Sequence, residues 1–188
     1  GNTKQIGEVI IEDVCKANEN INAISLRYFN PIGAHESTKI GELPIGVPQN
    51  LVPFITQTAA GIREQLLVFG DDYPTKDGSC IRDYIHVSDL ADAHVIAAQK
   101  LATENYCGII NIGRGEGFSV KEVMETISEV IGKDVNYEIS PRRAGDPTQT
   151  IADVTKSSKD LKWKAQSDLK SMINSAWQAW LSMPPSTK

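Results

Sequence analysis

Apolar positions recur at helical spacing at the start of the chain. Ile6, Val9, Ile10 and Val14 fall on one face, which predicts a helix over residues 3–18. The run Ala23-Ile24-Ser25-Leu26-Arg27-Tyr28-Phe29 predicts a strand, stopped by Asn30-Pro31 and Gly33. Residues 34–50 are rich in Gly, Pro and polar groups and predict a long loop, a kind of segment that is usually functional or disordered. A helix is expected from Leu51 to Ala60, ended by Gly61, and then a buried strand over Leu66-Leu67-Val68-Phe69. The turn-rich Gly70-Asp71-Asp72-Tyr73-Pro74 and Thr75-Lys76-Asp77-Gly78 lead through Arg82-Asp83 into an alternation of Tyr84, Ile85 and Val87, a further strand. Ser88 is the expected N-cap of the next helix, with Asp89 in its first turn, and this alanine-rich helix runs to about Thr103.

The second half alternates in the same way. Ile109-Ile110-Asn111-Ile112 predicts a buried strand, closed by Gly113-Arg114-Gly115-Glu116-Gly117. Ser119-Val120-Lys121-Glu122 is a capping box, Val123, Met124, Ile127 and Ile131 mark the core face of its helix, and Gly132 closes it. A strand over Val135–Ile139, a short helix around Lys156–Leu161 and a last helix from Ser167 to about Leu181 complete the pattern, with Trp177 and Trp180 expected to pack onto the body. Strands mixed with helices make the fold class α/β. The chain has no internal repeat and no low-complexity linker, and reads as one cooperative unit.

Composition narrows the function classes. With 188 residues, 40% apolar and 23% charged, the chain has ordinary soluble globular composition. A net charge of −5 argues against a nucleic-acid partner, which usually needs a basic face. No apolar run approaches the ~20 residues of a membrane span, and Gly1-Asn2-Thr3-Lys4 does not open a signal peptide. Cys15, Cys80 and Cys107 are odd in number and lack Cys-x-x-Cys spacing, which suits unpaired thiols in a reducing, cytoplasmic compartment. His35, His86 and His94 are isolated, so no metal site is expected.

Two motifs invite chemistry. Arg82 sits on a stiff junction where a forked guanidinium could hold a phosphate, although spacing alone favours an ion pair with Asp83 or another acid. The glycines at 113–117 lack the Gly-x-Gly-x-x-Gly spacing of a dinucleotide loop and favour a tight strand-to-helix turn.

Several segments together resemble the UDP-glucose (UDP-galactose) 4-epimerases of the extended short-chain dehydrogenase/reductase group. They are Leu26-Arg27-Tyr28-Phe29-Asn30-Pro31-Ile32-Gly33-Ala34-His35, Asn50-Leu51, Phe69 through Gly78, Arg82-Asp83-Tyr84-Ile85-His86-Val87, Asn111-Ile112-Gly113, and Arg142-Arg143-Ala144-Gly145-Asp146. They stand in the family's order, from Gly1 to about Trp180. The resemblance implies the C-terminal part of an NAD-binding Rossmann-type parallel sheet over residues 1–34 and 87–118, and a smaller mixed α/β UDP-sugar lobe over 35–86 and 119–188. The family's chemistry uses a Tyr-x-x-x-Lys pair; Gly1-Asn2-Thr3-Lys4 supplies everything after the tyrosine, so the tyrosine and the glycine-rich NAD loop are expected upstream of these residues and the chain alone is expected to be inactive.

Residue by residue, the resemblance implies that Lys4 lowers the tyrosine pKa and hydrogen-bonds the nicotinamide ribose, and that Tyr28 and Phe29 border the nicotinamide. Asn30, Asn50 and Leu51 would contact the diphosphate and nucleotide, and Leu67, Val68 and Phe69 the uracil. Arg82 and Arg143 would clamp the diphosphate from opposite sides, with Asp146 on the ribose hydroxyls. Thr150 would line the sugar pocket, and its small size implies tolerance of UDP-N-acetylhexosamines as well as UDP-glucose and UDP-galactose. Without the family, most of these residues have plain readings: Lys4 as a solvated lysine, Tyr28 and Phe29 as packing, Asn30 and Asn50 as caps, Arg143 as a surface charge. The parent is expected to be a homodimer through its first helix. Two other functions compete: a related sugar-nucleotide decarboxylase or dehydratase, and a non-catalytic UDP-sugar-binding or interaction module.

Overall fold

A computed structural model describes residues 1–183; the last five of the 119–188 stretch lie outside the described residues. Helix α1 (Asn2–Ala17) leads into β1 (Ala23–Tyr28) and the short β2 (Asn30–Ile32). After the loop come α2 (Leu51–Ala59), β3 (Leu66–Phe69), β4 (Ile81–Arg82), β5 (Tyr84–His86) and α3 (Val87–Thr103). Then follow β6 (Cys107–Ile112), β7 (Phe118–Ser119), α4 (Val120–Ile131), β8 (Tyr137–Ser140), β9 (Gln149–Thr150), α5 (Thr155–Asp160) and α6 (Leu169–Ser182). The architecture is α/β with mostly parallel pairings. β1 runs parallel to β6 from Ala23↔Cys107 to Tyr28↔Ile112, β2 parallel to β5, and β3 parallel to β8. β4 lies between antiparallel β7 and parallel β9.

Strand alternation splits the interior into two cores. Tyr84 joins Ile32, Val52, Ile55, Val68, Val123 and Met172 on one side, while its neighbour Ile85 joins Ala93, Ala97, Ile110 and Ile112 on the other. Successive side chains of a strand point to opposite faces, so the three residues of β5 seal both cores at once. Leu161 and Trp163 pack into the second core beside β6, and α5 lies against the same strand. Part of the 119–188 stretch therefore joins the layer of β1 and β6 rather than the α2, α4 and α6 side.

The capping box forms as the spacing requires. Ser119 Oγ accepts from Glu122 N–H at 3.0 Å, Glu122 Oε2 accepts from Ser119 N–H at 2.8 Å, and Gly132 closes α4 in the left-handed region at φ 68°. One expectation is corrected. The cap of α3 is His86, whose Nδ1 accepts from Ser88 N–H at 3.0 Å. A ring nitrogen two residues upstream reaches that N–H and starts the helix one residue before Ser88. Asp89 turns away from its own helix and accepts Gln166 and Ser167 N–H instead. The apolar face of α1, expected as a dimer contact, is exposed in the single chain: Ile6 is 58% exposed and Ile10 57%, and no residue of this helix is buried. α1 lies against β1 and β6, and Arg27 of β1 makes a forked pair with its Glu8, at 2.6 and 2.5 Å. No helix among the described residues is long and apolar enough to cross a membrane.

Candidate functional site

A cleft of about 480 Å³ opens where β2, the start of α2, β3 and β4 converge. Asn30, Asn50, Leu51, Leu67, Phe69, Arg82, Arg143 and Asp146 all line it, although they come from distant points of the chain; Val68, Cys80 and Tyr84 also border it. Its mouth is edged by Val47 and Gln49 of the loop before α2.

Each wall has a local cause. Asn50 takes the extended backbone of an N-cap but makes no side-chain cap bond; its amide instead donates to Glu42 Oε1 at 2.8 Å. The first turn of α2 thus has no side-chain acceptor and presents its partly positive end to the cleft. On the β3 wall, Val68 is buried while Leu67 is more exposed. Phe69 carries the Arg143 guanidinium over its ring, 3.9 Å from the centroid.

Arg82 is held at three points. Nη1 donates to the carbonyls of Ile81 at 2.8 Å and Pro147 at 3.0 Å, and Nη2 pairs with Asp146 Oδ1 at 3.3 Å. The ion pair that spacing favoured exists, with Asp146 rather than Asp83 as partner. A guanidinium so tethered keeps its position without a ligand, which lowers the ordering cost of gripping an anion.

Asp83 has another function. It is wholly buried; Oδ1 accepts Arg114 N–H at 2.9 Å, and Oδ2 accepts Gly115 N–H at 3.0 Å and Ala152 N–H at 3.1 Å. Burial pushes this carboxyl up, against the opposing pull of those backbone N–H groups. The glycine turn after β6 therefore cradles a carboxylate of its own chain. Gly113 is required there: a Cβ would come within 2.6 Å of Ala152 Cβ and 2.7 Å of Asp83 Oδ2.

The cleft is built to bind more than to react. Burial pushes both the Cys80 thiol and the Tyr84 phenol up, so both stay protonated near neutral pH and neither serves as a base. What remains is two guanidinium groups, the Asp146 carboxylate paired with one of them, an open helix N-terminus, the amides of Asn30, Gln49 and Asn50, and an apolar wall, the make-up of a site for an anionic ligand with a flat ring.

The model for the NAD dependent epimerase/dehydratase family matches residues 1–113. The chain belongs to that family. It is 47% identical over 179 residues to a UDP-glucose 4-epimerase of Schizosaccharomyces pombe, covering 95% of this chain and 50% of that protein. It is 45% identical to the UDP-glucose 4-epimerase of Erwinia amylovora, over 98% of this chain and 55% of the relative. Among solved structures, the UDP-glucose-4-epimerase of Stenotrophomonas maltophila, with bound NAD and formylated UDP-arabinopyranose, superposes with a TM-score of 0.94 at 43% identity, over 96% of this chain and 54% of that one. The Bifidobacterium longum enzyme in complex with NAD+ and UDP gives 0.92 at 40% identity, over 100% of this chain and 55% of that one. The chain spans about half the length of the curated relatives it matches.

Four residues that the resemblance to this family singled out lie outside the cleft. Lys4 is exposed on the first turn of α1. Tyr28, at the carboxyl end of β1, is 55% exposed with its ring tilted toward His94, centroids 6.3 Å apart. Phe29 is half-buried and its N–H continues the β1–β6 ladder to Ile112 O at 3.1 Å. Thr150 is half-buried in β9, paired in register with Arg82. In the other direction, sequence reasoning missed Tyr84 and Cys80 as lining residues and Asp83 as a support. The strand pattern marked Tyr84 as apolar, but nothing local shows which face of a two-residue or three-residue strand meets a cavity.

Proposed function

We propose that this chain is the C-terminal part of an NAD-dependent UDP-glucose/UDP-galactose 4-epimerase and supplies most of its grip on the UDP-sugar. The observation that carries this is the convergence of Arg82, Arg143, Asn30, Asp146 and the open N-terminus of α2 on one cleft, in a chain of this family. Arg82 and Arg143 hold the diphosphate from two sides, the backbone of β3 borders the uracil, and Asp146 takes the ribose hydroxyls. Held by this handle, the hexose is left to turn over inside the site.

NAD supplies a hydride acceptor and donor for C4 of the sugar in such enzymes. The residues here fit one flank of it: Tyr28 offers an exposed aromatic face at the carboxyl end of a parallel strand, where ligands of open α/β sheets lie. Lys4 sits on the neighbouring helix and Phe29 beside Tyr28. Residues 1–34 and 87–118 serve the cofactor side and 35–86 and 119–188 the sugar lobe, with Leu161 and Trp163 reaching back into the first. The exposed Ile6, Val9, Ile10 and Val14 of α1 make the homodimer contact of a cytoplasmic parent protein. Thr150, small and beside Arg82, leaves room for UDP-N-acetylhexosamines; full turnover of UDP-galactose with none of UDP-N-acetylgalactosamine would sink that part.

Calorimetric titration tests the core of the reading. UDP should bind the chain at least about tenfold more tightly than uridine, since each charge-assisted hydrogen bond to the diphosphate contributes on the order of 1.5–3 kcal/mol. Equal affinities for the two would overturn it. Epimerisation by these 188 residues alone would overturn the assignment of the proton and hydride chemistry elsewhere.

A further inference from the structure

We propose that Asp83 is the positioning residue of the diphosphate grip: its buried carboxylate locks the strand of Arg82 and the segment after Asp146 onto the glycine turn that follows β6. The inference rests on the reading of the cleft as a UDP site and deepens it.

Asp83 adjoins Arg82, and every polar group it owns is used. Its N–H donates to Thr150 O at 3.0 Å and its carbonyl accepts from Asn30 N–H at 3.0 Å. Its carboxylate takes the N–H groups of Arg114, Gly115 and Ala152. One residue thus joins β2, which carries Asn30, to β4, which carries Arg82, and to β9, which follows the turn of Asp146. Water cannot replace these bonds, because the side chain has no exposed surface. The oxygens accept three donors, so the site is built for a carboxylate and tolerates an amide poorly: an NH2 group on either side would face at least one backbone N–H, donor against donor. Gly113 leaves just enough room for Oδ2 to reach Ala152.

Asp83 is buried and does not line the cleft, so its effect must pass through the residues that do. The test compares UDP with uridine, which lacks the diphosphate, on the protein carrying this chain. Asp83→Asn should weaken UDP about tenfold and uridine by less than about twofold, collapsing the preference for UDP. Gly113→Ala keeps the carboxylate but pushes on it, and should lower the same preference; it carries the test if Asp83→Asn does not fold. Ala97→Gly, in the second core, none of whose residues line the cleft, should lower the melting temperature and leave the preference unchanged. Equal weakening of UDP and uridine in both site variants, or no weakening, overturns the inference. A wild-type protein with no preference for UDP over uridine sinks the cleft reading instead, and the inference with it.

Discussion

Replacing Arg82 with Met keeps the stem and removes the guanidinium, and the structure separates what this costs the fold from what it costs binding. In the free protein the pair with Asp146 is part-exposed, 15% and 33% for the two side chains. Such a pair contributes about 1 kcal/mol or less. With the bonds to the Ile81 and Pro147 carbonyls, which water partly replaces at this open site, the loss is about 1–2 kcal/mol. For a domain of this size that corresponds to a melting-temperature loss of about 2–8 °C. Binding loses more. A diphosphate forfeits at least one charge-assisted hydrogen bond, on the order of 1.5–3 kcal/mol. Asp146, without its cation, then faces the phosphates as a like charge, which raises the total to roughly 2–4 kcal/mol, or about 30- to several-hundred-fold in the UDP dissociation constant. Calorimetry and a thermal melt on the same sample measure both quantities. Arg82→Met combined with Asp146→Asn should recover part of the lost affinity, because the second change removes the exposed like charge. A UDP affinity within about threefold of wild type would refute the clamp. So would an affinity loss no larger than the loss in stability.

Other outcomes follow from the same geometry. Arg143→Ala removes the cation stacked on Phe69 from an exposed position and should weaken UDP about tenfold while moving the melting temperature by no more than about 2 °C. Ser119→Ala deletes the α4 cap and the hydroxyl that donates to Asp77, and should cost about 2 kcal/mol, read as a melt lowered by roughly 4–8 °C; a shift under 1 °C would count against the capping box as a source of stability. Burial holds the His86 imidazole below its ordinary pKa, ahead of the opposing pull of Asp89. The unfolded chain therefore binds the proton first: this contribution is complete above about pH 6.5 and declines as pH falls from there toward the lower folded pKa. His86→Asn keeps an oxygen to cap Ser88 N–H, and urea midpoints between about pH 6.5 and 5 should be flatter than in the wild type; an unchanged slope would assign that pH dependence to another group.

The elements that local chemistry closes were legible in advance. The capping box of Ser119 and Glu122, the left-handed Gly132 and the period of Val123, Met124 and Ile127 define α4 without help from elsewhere, because the bonds concerned span three or four residues. The apolar runs at Leu66–Phe69 and Ile109–Ile112 were likewise visible as strands, although only Leu66, Val68, Ile110 and Ile112 are buried, and family motifs marked most cleft residues. The short strands β2, β4, β7 and β9 were not legible: two or three residues carry no period, and such strands exist only through the partner they pair with. The expected cap at Ser88 failed because the His86 side chain, two residues earlier, took the N–H of Ser88 itself and drew that residue into the helix.

By itself the sequence determined the α/β alternation, the helix ends held by short-range hydrogen bonds, and the inventory of arginines, amides and acids available for an anion. Tertiary structure alone decided which acid would meet Arg82 and that Asp83 would be cradled by a glycine turn far along the chain. Those outcomes depend on contacts between residues 30 to 70 positions apart, such as Arg82 with Asp146 and Asp83 with Ala152. Local propensity has no information about them; the packing of the two cores brings the groups together, and only then do charge and hydrogen-bond geometry choose the partners.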